Sequence, residues 1–127
     1  MSIFDVMGPI MIGPSSSHTA GAVRIGFYAK KIYDKNFSKV EIHLYNSFAT
    51  TGKGHGTDKA IVGGLLGMKI DDENVVNSIK IAEKKGIKIN FYYHYDDEKH
   101  PNLARIVFCD EEPFSVSGIS IGGGKVS

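Results

Sequence analysis

Between residues 18 and 48 the apolar residues change period, and that change points to a fold that sets helices against a sheet. Over about 18–34, Ala22, Ile25, Ala29 and Ile32 recur at helical spacing, with Arg24, Lys30 and Lys31 on the other side. Lys30, Lys31 and Lys35 suit the negative pole at a helix end. Over Ser38–Phe48 the pattern alternates instead. Val40, Ile42 and Leu44 face one way and Glu41, His43 and Tyr45 the other, as in a half-buried strand.

The remaining elements follow the same logic. Residues 3–12 are apolar but broken by Gly8-Pro9, which predicts an extended lead-in. Gly13-Pro14 predicts a tight turn into the first helix. Asn46 to Gly56 reads as a loop rich in Gly, Thr and Ser. A second helix is predicted over 57–66, capped by Thr57 or Asp58. Its Gly63-Gly64 pair costs about 1 kcal/mol per glycine relative to alanine in a free helix, which implies close packing of another backbone. A third helix is predicted over 73–85, capped by Asp71 or Asp72, with Val75, Val76, Ile79 and Ala82 inward and Gly86 as its stop. Ile87–Tyr95 and Leu103–Cys109 read as a hairpin around the polar turn 96–102, and Phe114–Ile121 as a further strand. The expected class is α+β, a mixed sheet with helices packed on it.

The chain has 127 residues, enough for one domain with a real core. Its net charge is +1, with Lys+Arg 15 against Asp+Glu 14, so no nucleic-acid partner is expected. No apolar run reaches the roughly 20 residues of a membrane span, and the start lacks the basic region of a secretory signal. A cytoplasmic protein is the expectation. The single cysteine, Cys109, excludes an intrachain disulfide and cannot hold an iron–sulfur cluster, which takes about four thiolates. No metal site is therefore expected in this chain.

Two motifs carry chemistry. The first is Gly13-Pro14-Ser15-Ser16-Ser17-His18-Thr19. Its hydroxyls and the unpaired N–H groups of a helix start favour an anion such as a carboxylate. His18 adds a ring that titrates near neutral pH. The plain alternative is a serine-rich cap with an exposed histidine. A serine hydrolase is disfavoured, because the Gly-x-Ser-x-Gly elbow is missing.

The second motif is Thr50-Thr51-Gly52-Lys53-Gly54-His55-Gly56-Thr57-Asp58, between a predicted strand and a predicted helix. Its glycines let the backbone approach a ligand. His55 is placed to reach a bound molecule, Lys53 to neutralise a carboxylate, and Asp58 to orient His55 or cap the helix. The spacing is not that of a P-loop. His43, His94 and His100 read as surface residues, Cys109 as a buried thiol, and the Phe91–Tyr95 aromatics as core and sheet surface.

These residues resemble a known family. Ser2-Ile3-Phe4-Asp5-Val6, Gly8-Pro9 and the Gly13–Thr19 motif look like the N-terminus of the bacterial iron–sulfur-dependent L-serine dehydratases. Gly54-His55-Gly56-Thr57-Asp58-Lys59-Ala60 and Gly63-Gly64-Leu65-Leu66-Gly67 look like their second hallmark. The resemblance runs from residue 2 to about 125. It implies a beta domain like the allosteric substrate-binding domain of some phosphoglycerate dehydrogenases. It also implies conversion of L-serine to pyruvate and ammonia without pyridoxal phosphate, with an alpha subunit carrying a 4Fe–4S cluster. In two-subunit members an ACT regulatory domain follows, which suits the glycine run Gly122–Gly124 as the start of a linker. A homodimer of the beta domain is compatible with this picture.

Dehydration of serine needs a base at the α-carbon, an acid or metal at the hydroxyl and an anchor for the carboxylate. His55 and His18 are the candidate catalytic residues. Ser15, Ser16, Ser17, Thr19, Lys53, Gly54 and Asp58 are the candidate substrate-binding residues. The alternative is a non-catalytic domain that holds serine or another small anion as a regulator.

Overall fold

The first helix owes its length to a continuous inner stripe of small and branched residues. The computed structural model describes residues 4–5, 10–15, 18–52 and 56–122, with the backbone alone for 4–5, 10–15, 18, 19 and 122. Strands β1 (Phe4–Asp5) and β2 (Ile10–Ser15) precede α1 (His18–Tyr33). Ala22, Val23, Ile25 and Ala29 of α1 are buried. Ile32, expected on that stripe, is 42% exposed. Tyr33 takes the inner place, four residues after Ala29, and stacks on Phe108 at 4.1 Å.

Strand β3 (Lys39–Asn46) alternates as expected, with Val40, Ile42 and Leu44 fully buried. It leads into α2 (Ser47–Gly52) and α3 (Thr57–Leu65). The six-residue α2 replaces the first half of the predicted loop. It is too short to show a period, but Phe48 and Ala49 anchor it in the core. A 3-10 turn (Glu73–Asn77) and α4 (Ser78–Lys84) then replace the single predicted third helix. Asp72 caps the 3-10 turn by accepting from Asn74 N at 2.8 Å. The tighter winding turns Val76 outward, 64% exposed, and buries Ser78, whose hydroxyl donates to Lys59 O at 2.6 Å. Gly86 ends α4 with φ 81°, as expected. Gly86 N donates to Glu83 O and Ile87 N to Ala82 O, both at 3.0 Å, which is the Schellman pattern.

Strands β4 (Lys88–His94), β5 (Asn102–Phe108) and β6 (Phe114–Gly122) complete a mixed sheet of six strands among the described residues. Its order is β1-β6-β5-β3-β4, with β2 also on β6. The expected β4–β5 hairpin does not form. β4 runs parallel to β3, and β5 runs antiparallel on the other side of β3. β6 joins β5 antiparallel and receives β1 and β2 in parallel. In β2 the expected Gly13-Pro14 turn is extended backbone, with a register shift between Ile12 and Ser15. Pro14 has no N–H to give the ladder there.

The helices pack on the face that carries Val40, Ile42, Leu44, Ala104, Ile106, Phe108 and Val116. At the α1–α3 crossing, a Cβ on Gly26 would sit 2.2 Å from Ile61 O, and one on Gly64 2.1 Å from Val23 O. Backbone thus meets backbone, as the Gly63-Gly64 pair implied. Only Gly64 makes that contact; Gly63 faces the Val75 side chain instead.

Candidate functional site

The topology brings the described ends of the two motifs to one edge of the sheet. Strands β2, β3, β4 and β6 are parallel, so their carboxyl ends share that edge with the start of β5. Ser15 ends β2 opposite Gly122, and His18 and Thr19 open α1 just beyond it. The α1 backbone thus begins at this edge. Asn46 ends β3 there, and α2 follows it directly. Gly52, at the end of α2, lies against Leu44 and Tyr93. In open sheets of this kind, ligands bind beyond the carboxyl ends of the strands.

Ser16, Ser17, Lys53, Gly54 and His55 lie outside the described residues, and Ser15, His18 and Thr19 are placed by their backbone alone. The flanks of the second motif are well defined. Thr51 Oγ1 and Thr57 Oγ1 are 2.7 Å apart, and Thr51 also donates to Ser47 O at 2.9 Å. The two threonines therefore staple the end of α2 to the start of α3. Thr57 is buried and does not cap α3. Gly56 holds that position with φ 100°, a left-handed conformation that favours glycine, and its carbonyl accepts from Ala60 N at 2.9 Å. Asp58 is not the cap either. Its Oδ1 accepts from the adjacent Lys59 N at 2.7 Å. Burial, and then the Asp58 charge, push the Tyr93 phenol above its ordinary pKa.

Two asparagines face each other at this edge, in register between β3 and β5. Asn46 is fully used. Its amide nitrogen donates to Asp96 O, Lys99 O and His100 O, and its oxygen accepts from Asp96 N at 2.9 Å. These bonds pin the 96–101 loop beneath the edge, with Phe48 N donating to Pro101 O at 3.3 Å. Asn102 is used less. Its amide nitrogen makes one bond of 3.3 Å to Ser120 O, and its buried Oδ1 has no partner. A shielded acceptor left unpaired costs about 1–3 kcal/mol.

On the opposite sheet face, His43 and His94 are half-buried and joined to each other. His43 Nδ1 lies 2.9 Å from His94 Nε2, and His43 Nε2 lies 3.1 Å from Glu41 Oε1. His100 is exposed, as expected for a turn residue. Cys109 is half-buried, and burial leads the effects that raise its thiol pKa. Among the described residues no three His, Cys, Asp or Glu side chains gather as a metal-binding group, and no helix is long and apolar enough to cross a membrane.

A family model described as serine dehydratase beta chain matches residues 2–88. The chain belongs to that family. A probable L-serine dehydratase beta chain from Bacillus subtilis (strain 168) is 51% identical over 126 residues, covering 98% of this chain and 57% of its own length. The L-serine dehydratase beta chain of Peptoniphilus asaccharolyticus is 50% identical over 129 residues, covering 98% of this chain and 58% of its own length. An L-serine dehydratase from Haemophilus influenzae is 46% identical over 152 aligned positions, covering 99% of this chain and 33% of its own length. The chain thus spans less than two thirds of the length of each of these relatives. The family match contains both motifs and stops at Lys88, the first residue of β4. Asn102 and His94 therefore lie beyond it. Neither stood out in the sequence, because each borders a run of turn residues and gains its neighbours only through strand register.

Proposed function

We propose that this chain is the beta component of an L-serine dehydratase, converting L-serine to pyruvate and ammonia together with an alpha partner. The observation that carries this reading is identity of about half across 98% of the chain to two proteins named as L-serine dehydratase beta chains. The geometry supports it. The described ends of both motifs, which span 13–19 and 50–58 in sequence, flank one sheet edge.

The reaction removes the α-proton and expels the β-hydroxyl as water, and the resulting enamine hydrolyses to pyruvate and ammonia. In this reading the hydroxyls at the start of α1 hold the substrate carboxylate, with Ser15, Ser16, Ser17 and Thr19 as donors. Lys53 and the backbone at Gly54 complete that anchor, and Asp58 at the start of α3 orients His55. His55 takes the α-proton, and His18 orients the substrate or moves a proton at the hydroxyl.

The 4Fe–4S cluster implied by the resemblance does not fit this chain. It has one cysteine, Cys109, whose Sγ lies 3.4 Å from Val107 O and whose thiolate is disfavoured by burial. In our proposal the cluster belongs to the alpha partner.

The test is anaerobic reconstitution of the full beta chain with the alpha partner, comparing the native chain with His55→Ala and His18→Ala. We expect His55→Ala to lower kcat by 100-fold or more, the usual scale for a lost general base. Near-full turnover by both variants would remove the catalytic role and leave a serine-binding regulatory domain.

A further inference from the structure

We infer that Asn102 is a substrate-binding residue whose side-chain oxygen receives the ammonium group of the amino-acid substrate. The inference rests on the dehydratase reading above and deepens it.

Anchors for the carboxylate are donors, which a helix start supplies. An α-amino acid also carries an ammonium with three N–H donors, which requires acceptors. Among the described residues, several side-chain acceptors of the carboxyl edge are already engaged. Asn46 Oδ1 is taken by Asp96 N. The Thr51 and Thr57 hydroxyls are bonded to each other. Asp58 Oδ1 is taken by Lys59 N, and its carboxylate is only half-buried, where water competes. Among the described residues, Asn102 Oδ1 is the shielded side-chain acceptor that lacks a donor.

Its position suits the role. Asn102 opens β5 between the end of β3 and the end of β6, and its amide nitrogen reaches Ser120 O. By register, Ser120 lies opposite Ile12 of β2, the strand that delivers the chain to α1. Asn102 is thus one strand from β2's partner and one strand from the segment that leads into α2.

The fold itself gives little reason for an amide here. On the same side of β5, Ala104, Ile106 and Phe108 are all buried and apolar. An apolar residue at 102 would extend that row and leave no orphan oxygen. Asn46, its partner in register, shows what a structural asparagine looks like at this edge, with every polar atom engaged. Asn102 instead makes one long bond, which holds the amide plane and leaves the oxygen free. A neutral carbonyl shielded from water binds an ammonium by a charge-assisted bond.

The experiment uses the holoenzyme assembled anaerobically from the full beta chain and its alpha partner, native and Asn102→Leu. Kinetics are measured with L-serine, together with inhibition by L-alanine, which keeps the ammonium, and by propionate, which lacks it. We expect the variant to raise KM for L-serine about tenfold or more, with a smaller effect on kcat. The Ki for L-alanine should rise in parallel, while that for propionate stays within twofold. The melting temperature of the beta chain should change little, because removal of the orphan acceptor offsets loss of the 3.3 Å bond to Ser120 O.

An unchanged KM, or an equal loss of L-alanine and propionate binding, would overturn the inference. If Asn102→Leu does not assemble, Asn102→Ser is measured with the same two inhibitors, and the same selective loss of L-alanine is required. A native holoenzyme that binds L-serine without turning it over sinks the dehydratase reading and leaves the Asn102 comparison to be read from binding alone.

Discussion

His43 Nδ1 and His94 Nε2 share one hydrogen bond of 2.9 Å between the parallel strands β3 and β4, and one proton occupies it. Glu41 Oε1, 3.1 Å from His43 Nε2, accepts the proton there, which leaves His43 Nδ1 to accept from His94. Tyr92 stacks on His43 and Tyr45 on His94, while Arg105 lies across from His43 on β5. Burial, and then charge on His43, hold the His94 pKa below its ordinary 6.5. Full protonation of both rings sets N–H against N–H.

Stability is therefore expected to fall with acid. The unfolded chain takes up the His94 proton at its ordinary value and the folded chain only lower. The stabilisation is complete above about pH 6.5 and drains away as pH falls through the lowered folded value. Its slope is no steeper than about 1.4 kcal/mol per pH unit for one proton. Urea melts of the beta chain between pH 5 and 8 measure it. His94→Phe keeps the stacking and should flatten the curve; an unchanged curve rejects the assignment.

The α1–α3 crossing tolerates no added methyl. Gly64→Ala places a Cβ 2.1 Å from Val23 O, a clash with backbone that only helix separation relieves. We expect a loss of about 2–3 kcal/mol, despite the gain in helix propensity. Gly63→Ala meets the Val75 side chain at 3.3 Å and should be near neutral. Thermal melts of the two variants give the contrast, and equal losses refute it.

Asp110 fastens the start of β3 to the β5–β6 turn. Its carboxylate accepts from Ser38 N, Ser38 Oγ and Lys39 N at 2.6–3.1 Å. Burial pushes its pKa up, but these bonds outweigh it and hold the carboxyl below its ordinary 3.8. The contribution is present above about pH 3.8 and lost as pH falls through the lower folded value. Asp110 is exposed, so solvent discounts the bonds, and Asp110→Ala should cost about 1 kcal/mol at pH 7. Denaturation at pH 7 and pH 3 should show the deficit shrinking with acid.

Asn46 carries two separable loads. Its φ of 55° is left-handed, and its side chain pins the 96–101 loop. Asn46→Gly keeps the first and loses the second, while Asn46→Ala loses both. We expect Asn46→Ala to be the less stable by about 1 kcal/mol, the ordinary cost of that conformation with a Cβ. Both variants should speed amide hydrogen exchange in the loop, and slow exchange in either counts against the pinning.

The elements were legible because period and caps are local. α1, β3, α3 and Gly86 fall where the residues put them. Strand order was not legible. The polar run from Asp96 to Asn102 has the chemistry of a hairpin turn, and only Asn46, 50 residues upstream of Asp96, reveals that β3 separates the two strands. Ile32 and Val76 misled for a related reason. Each is apolar, but a small change in winding or end position decides which neighbour turns inward. Residue type made the motif histidines and serines candidates. Asn102 was hidden among turn residues, and its significance comes from the register that sets it beside Ser120.

The sheet order also governs how this chain is made. Strands β1 and β2 pair with β6, and β3 meets them only through β5 and β6. During translation the first two strands leave the ribosome about a hundred residues before their partner does. The nascent chain must carry those strand edges unpaired until synthesis passes Gly122. Open edges of that kind are templates for wrong pairing. Long-range closure of this order also slows folding. Premature termination after β4 would release a product that keeps β3 and β4 but has no β6 on which to seat β1 and β2, which makes the last strands the checkpoint for the first.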